Sequence, residues 1–258
     1  MKVKGKVVVL TGAASGIGRT TAVLFAKEGA KLVLSDTDIS GGEETLQMVK
    51  KYQQDALFIK CDVSKGNDVK EMVSTTLKKY GRIDVLINNA GVVRVGQIEE
   101  MLEEEYDLLL SVNLKGVYFG CHYAVPTFKK QRSGIIINVA SVAGHIGQVN
   151  HALYCSTKHG VRGMTKALAL DLAPYGVRVN SISPGATDTP MLVSDVTKQA
   201  KDRGVDYETV KKEFEEEGVL GRWASPEEIS AGILFLASED SSYMTGADLL
   251  LDGGWTAR

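Results

Sequence analysis

The chain has 258 residues, is 44% hydrophobic and carries a formal net charge of -2. That length suits one large α/β domain or two smaller ones, with enough apolar residues for a substantial core. The charge is nearly balanced and no basic tail or patch is present, which argues against nucleic acid as a partner. Apolar runs such as VVVL and GIIINVA are far too short to cross a bilayer. The amino-terminal stretch MKVKGKVVVL lacks both the apolar core and the cleavage site of a secretory leader, so a cytoplasmic location is expected. Cys61, Cys121 and Cys155 are widely spaced, with no CxxC pair. They read as small buried hydrophobes in a reducing compartment.

Short apolar runs at 6–10, 31–35, 56–60, 83–87, 134–138, 177–182 and 247–251 predict seven strands. The segments between them, 66–80 and 226–237 among them, have helical periodicity. This alternation predicts a single-domain, doubly wound α/β fold with about seven parallel strands and helices on both faces. The first strand runs into TGAASGIG at 11–18. Gly12, Gly16 and Gly18 allow a tight turn and close approach of backbone to a pyrophosphate. Ser15 and Ile17 belong to the same turn, where the free amides of a starting helix attract negative charge. Asp36 closes the second strand 18 residues beyond Gly18. A carboxylate there accepts hydrogen bonds from an adenosine ribose and repels a 2′-phosphate, which points to NAD over NADP. No arginine follows to neutralise a phosphate, since Thr37 stands there. A plainer reading makes Asp36 a helix cap in SDTDIS.

After the third strand, CDVS offers Asp62, with Val63 beside it, to an adenine amino group. After the fourth, NNAG brings Asn89, Ala90 and Gly91 to the carboxyl edge of the sheet, where open parallel sheets bind ligands. Taken alone, NNAG reads equally well as a turn. Further on, HALYCSTKHG places Tyr154 and Lys158 one helical turn apart, and YETVK does the same for Tyr207 and Lys211. Spacing alone does not separate the two pairs. Ser141 does: it ends the fifth strand and can return to the spot where Tyr154 begins a helix. Tyr207 lies in DYETVKKEFEEE, which reads as a solvated helix face. Residues 191–221 are charged and weakly periodic, and are read as a mobile substrate flap over one end of the sheet.

Together, TGAASGIG, Asp62, NNAG, Asn113 in SVNLKG, Ser141 in NVASVAG, YCSTK and SPGATDT occur in an order that resembles the short-chain dehydrogenase/reductase family. The resemblance implies one Rossmann-type domain over residues 1–258 and a catalytic set of Asn113, Ser141, Tyr154 and Lys158. Tyr154 would be the general acid/base, its pKa lowered by the Lys158 ammonium and a positive nicotinamide. Ser141 would hold the substrate oxygen. Lys158 would also bind the nicotinamide ribose, and Asn113 would hold a water of a proton relay. Pro184, Gly185, Thr187 and Thr189 would pass beside the nicotinamide.

The reaction expected is hydride transfer between NAD and a secondary alcohol or ketone, such as a cyclic alcohol, diol, steroid or sugar. A 3-oxoacyl-thioester reductase or sugar dehydrogenase is the alternative within the family; a dinucleotide-binding regulatory protein is the alternative outside it. Plainer readings leave Ser141 a strand-end cap and Asn113 a satisfied helix residue. Arg94, His145, Gln148, Asn150, His151 and Trp223 are the expected pocket residues. No metal is expected, because His145 and His151 lack acidic or cysteine partners at ligand spacing. Residues 106–125 and the helix carrying Tyr154 are apolar on more than one face, which with the resemblance suggests a homotetramer.

Overall fold

A computed structural model describes residues 1–257. The seven apolar runs become seven strands: β1 (Val7–Thr11), β2 (Lys31–Asp36), β3 (Ala56–Lys60), β4 (Val85–Asn88), β5 (Gly134–Val139), β6 (Val177–Pro184) and β7 (Asp248–Leu251). They form one parallel sheet in the order β3-β2-β1-β4-β5-β6-β7. Nine α-helices accompany them among the described residues: α1 (Gly16–Lys27), α2 (Ile39–Lys50), α3 (Gly66–Tyr80), α4 (Glu103–Leu110), α5 (Gly116–Gln131), α6 (Ala152–Leu172), α7 (Pro190–Arg203), α8 (Tyr207–Glu217) and α9 (Pro226–Ala237).

Strands β1, β4 and β5 are buried at every position, which is why their sequences do not alternate. One face packs Leu10, Leu32, Leu34 and Ile87 against Phe25 of α1, Val49 of α2 and Ile233 of α9. The other packs Val9, Val33, Leu86 and Ile136 against Met72 of α3, Phe128 of α5 and Val161 of α6. Several helix starts follow directly from local sequence. Ser225 and Glu228 form a reciprocal capping box at α9, with Pro226 in its first turn. Asp38 and Thr189 cap α2 and α7 through their side-chain oxygens. All three cysteines are free and buried. No described helix is long and apolar enough to cross a membrane.

The stretch 191–221 departs from its expected irregularity. It is a helix pair, α7 and α8, with a small core of its own. Val196, Ala200 and Val210 are buried there, with Leu192, Tyr207, Phe214 and Trp223 packed around them. Leu192, Val196 and Ala200 repeat at the i,i+4 spacing of one helical stripe, which the dense charges between them obscured. Arg203 of α7 pairs with Glu213 of α8 at 2.5 Å. A second local feature is the π-helical turn Ser111–Lys115 between α4 and α5, with Asn113 at its centre.

Candidate active site

The carboxyl ends of the strands open into one cavity of about 380 Å³. It lies where the connections from β1 and β4, adjacent strands, leave to opposite faces of the sheet, the position at which open parallel sheets bind ligands. Its floor begins at the turn after β1, with Gly12, Ser15, Gly16, Ile17 and Gly18. Gly12 has φ +68°, and a Cβ there would lie 2.8 Å from Ala90 Cα; a Cβ at Gly18 would lie 1.9 Å from the Gly12 carbonyl oxygen. Only glycine permits this closeness of turn, helix and neighbouring strand. Asn89 ties the same turn down, its Nδ2 donating to the carbonyls of Thr11 and Gly12 at 2.9 and 3.0 Å. The amino end of α1 has no side-chain cap and no acidic residue in its first turn. Its amides therefore face the cavity without a competing anion.

Asp36, at the end of β2, lines the same cavity, where one carboxylate oxygen accepts from Ala14 N at 2.9 Å. An uncapped helix amino terminus, a glycine turn without space for side chains and a carboxylate at the end of β2 fit a dinucleotide's pyrophosphate and ribose. Ala90 and Gly91 line the wall after β4, and Pro184, Gly185, Thr187 and Thr189 the wall after β6. Asp62 and Val63 stand outside the lining. Asp62 is engaged by Ser64 and Lys65, and Val63 is packed against Gly116.

Ser141, Tyr154 and Lys158 share one wall. Ser141 begins the turn after β5, its hydroxyl accepting from Ala143 N at 3.1 Å. Lys158 is only 4% exposed, and its Nζ donates to the Val139 carbonyl at 3.0 Å. Burial pulls its pKa down to about 8. Burial pushes the Tyr154 phenol up to about 12; a hydrogen bond with Ser141 acts the other way, and the Asp195 carboxylate adds to the rise. The Lys158 ammonium sits 5.6 Å from the centre of the Tyr154 ring and is held by Val139, so desolvation of the phenol dominates in this arrangement. Asn113 lies behind this wall, fully buried. Its side chain accepts from Val92 N and donates to Val92 O, each at 2.8 Å. A Cβ on Gly91 would lie 3.4 Å from Asn113 Oδ1 and 3.6 Å from Lys158 Nζ, so glycine leaves the approach between the two open.

Of the six expected pocket residues, Gln148 and His151 line the cavity. Arg94 does not; its guanidinium donates to the Val93 carbonyl at the surface. His145 is drawn away by Asp248 of β7, at 2.5 Å. Trp223 packs into the core of the α7–α8 pair. Asn150 occupies a left-handed turn with φ +61° and hydrogen-bonds Gly96 through its carbonyl. The cavity instead gains Asp195 from α7 and Trp255 from the turn after β7, neither of which lies in a recognisable motif. Trp255 meets Phe214 of α8 edge to face, with ring centres 6.4 Å apart.

The family model described as enoyl-(acyl carrier protein) reductase matches residues 12–256. A 3-oxoacyl-(acyl-carrier-protein) reductase of Thermotoga maritima is 42% identical over 98% of this chain and 99% of its own. A cyclopentanol dehydrogenase of Comamonas sp. is 36% identical, covering 99% of both chains. The crystal structure of levodione reductase superposes with a TM-score of 0.95 at 36% identity, over 99% of each chain. A cavity lined by Ser141, Tyr154 and Lys158 at the sheet's carboxyl edge, within a fold and sequence matched end to end, places the chain in the short-chain dehydrogenase/reductase family of oxidoreductases.

Proposed function

We propose that the protein moves a hydride between NAD and a secondary alcohol or ketone carried on a ring. The observation that carries this is the gathering of Ser141, Tyr154 and Lys158 in the cavity that also holds Asp36 and the open end of α1. The dinucleotide, when bound, accepts or supplies the hydride. The α1 amides, Asp36, the Asn89–Gly91 segment and the Pro184–Thr189 segment would hold it. Tyr154 exchanges the proton of the reacting oxygen, and Ser141 orients that oxygen against it by hydrogen bonding. A phenol with its pKa raised to about 12 is protonated at neutral pH, so Tyr154 stands ready as the acid for ketone reduction. Lys158, with its Nζ 5.6 Å from the centre of the Tyr154 ring, would supply positive charge beside that ring and donate to the nicotinamide ribose. Asn113 fixes the Val92 backbone beside Lys158, the position from which a water relay would start.

The ring is inferred from the cyclopentanol dehydrogenase relative; the acyl-thioester relative supports the alternative of a 3-oxoacyl-thioester reductase. Asp36 favours the former, because a carboxylate at that position repels the extra phosphate of NADP. The deciding measurement is reduced-nicotinamide absorbance with NAD and NADP against ring alcohols, ring ketones and 3-oxoacyl thioesters. We expect ring alcohols with NAD to give the highest kcat/KM. Asp36→Ala should shrink the NAD-over-NADP ratio by about tenfold or more. A wild type favouring NADP and thioesters would overturn the reading.

Two further parts belong to this proposal. The α7–α8 pair, carrying Met191, Leu192 and Phe214 into the cavity wall, closes over substrate and excludes water. Amide exchange in residues 190–217 should slow when an unreactive substrate analogue joins NAD; protection unchanged by ligand would leave no moving lid. The protein assembles as a cytoplasmic homotetramer through the groove formed by Leu110, Leu114, Tyr118 and Met164, which sedimentation of the active protein tests.

A further inference from the structure

The cavity holds a charged pair that proton transfer at Tyr154 does not use. His151, just before α6, and Asp195, on α7, are 5% and 8% exposed, and both line the cavity with Tyr154. His151 Nε2 lies 3.6 Å from Asp195 Oδ2. The other ring nitrogen, Nδ1, is 2.7 Å from the Val149 carbonyl oxygen. A carbonyl only accepts, so Nδ1 carries a proton; Nε2 faces a carboxylate oxygen of Asp195, which also accepts. Both contacts are attractive only if His151 is an imidazolium. The direction of its pKa agrees: burial pulls it down, but Asp195 and the Val149 carbonyl outweigh burial and raise it.

The pair is incompletely satisfied. Asp195 Oδ1 accepts from Gln199 Nε2 at 3.1 Å, but the 3.6 Å contact with His151 is longer than a hydrogen bond. A carboxylate has about four acceptor sites, so capacity remains beside an N–H that is itself not closely engaged. The neighbouring cavity wall contributed by α7 and α8 is apolar, made by Met191, Leu192 and Phe214. The His151 ring stands edge-on to Tyr154, with centres 6.3 Å apart. A hydrocarbon ring seated here would desolvate the pair and give it nothing in return. A second oxygen on that ring would satisfy it, and sites built this way reject analogues that lack the group.

We propose that His151 and Asp195 bind a second oxygen of the substrate, so that the protein acts on ring diols and hydroxyketones in preference to the matching mono-alcohols. This rests on the reading of the site as an alcohol oxidoreductase with Tyr154 as acid/base. One oxygen meets Tyr154 and Ser141. The other meets the pair, a hydroxyl donating to Asp195 and accepting from His151, or a carbonyl accepting from His151 alone.

The test compares kcat/KM for cyclohexanol and for cyclohexane diols with hydroxyls on adjacent, alternate and opposite carbons. Wild type, Asp195→Asn and His151→Gln are assayed with NAD at neutral pH. The best diol should exceed cyclohexanol by about tenfold or more in wild type. Asp195→Asn should cut that ratio by about tenfold, chiefly through KM, and His151→Gln should cut it in the same direction. Calorimetric titration of the same ligands into Tyr154→Phe with NAD supplies a readout without turnover; there, adding Asp195→Asn should weaken diol binding more than cyclohexanol binding. A wild type that prefers cyclohexanol, or that neither binds nor oxidises any diol, overturns the proposal. So does a diol-to-cyclohexanol ratio left unchanged by both substitutions. Full activity of Tyr154→Phe would instead remove the acid/base reading, while the ratio still judges the pair.

Discussion

The starts of α6 and α8 carry the same short pattern, a tyrosine followed one helical turn later by a lysine, in opposite surroundings. Lys158 is buried against the Val139 carbonyl, and burial drives its pKa down. Lys211 lies on the surface between Glu208 and Glu215, and those charges drive its pKa up. Tyr154 shares a cavity with Ser141; Tyr207 packs into the small core of the α7–α8 pair. The spacing is a property of the helix, and the reactivity belongs to what surrounds it. A buried lysine facing a cavity costs the fold stability, and function is the reason for such a cost.

The largest expected difference between the two regions is catalytic. Tyr154→Phe should lower kcat by about 10³-fold while leaving NAD affinity nearly unchanged, since it removes a proton carrier and little volume. Tyr207→Phe should change the chemical step by about twofold or less. Equal losses in single-turnover measurements would erase the distinction. A pH profile sharpens it. With Tyr154 raised to about 12, reduction should be flat through neutrality, while oxidation should rise with pH by about tenfold per unit below the apparent pKa until another step limits. Oxidation independent of pH from neutral to alkaline conditions would exclude Tyr154 as the base.

Stability should separate the lysines with opposite emphasis. The folded pKa of Lys158, about 8, lies below its ordinary 10.5, so the unfolded chain holds this proton more tightly. The resulting penalty on folding is fully present below about pH 8 and fades as pH rises towards 10.5. Lys158→Met should therefore abolish turnover yet stabilise the protein by about 1–3 kcal/mol at neutral pH, with the gain shrinking in alkali. Denaturant titrations at two pH values check both parts. Lys211→Met, at a half-buried site on the rim of the α7–α8 pair, should move Tm by about one degree or less.

Most of the architecture is legible in the sequence for a physical reason. A parallel sheet covered on both faces needs unbroken apolar strands, and those runs are conspicuous between helices. The ligand edge is legible because glycines without room for Cβ atoms, and Ser141, fall directly after strands. What escapes is whatever depends on pairing across the chain. His145 reads as a pocket residue until Asp248, 103 positions away, takes its ring. Asp195 looks like one of many charges in a charged helix, and only folding turns it towards His151. Trp255 gives no signal, because it reaches the cavity from the turn after the last strand. The α7–α8 pair reads as irregular because its apolar stripe is only one residue in four.

The order of the strands bears on how the chain is made. From β5 onwards, each strand joins the edge left by the one before it, so the order of synthesis is also the order in space. A nascent chain that has reached β5 presents the apolar segment Gly134–Val139 as an unpaired edge until β6 arrives some forty residues later. Such an edge is a template for aggregation, and all-parallel sheets close their long-range pairs slowly. Chains halted between residues 140 and 176 should therefore depend on chaperones more heavily than chains halted after β6, whose last partner, β7, is only half buried in the finished protein.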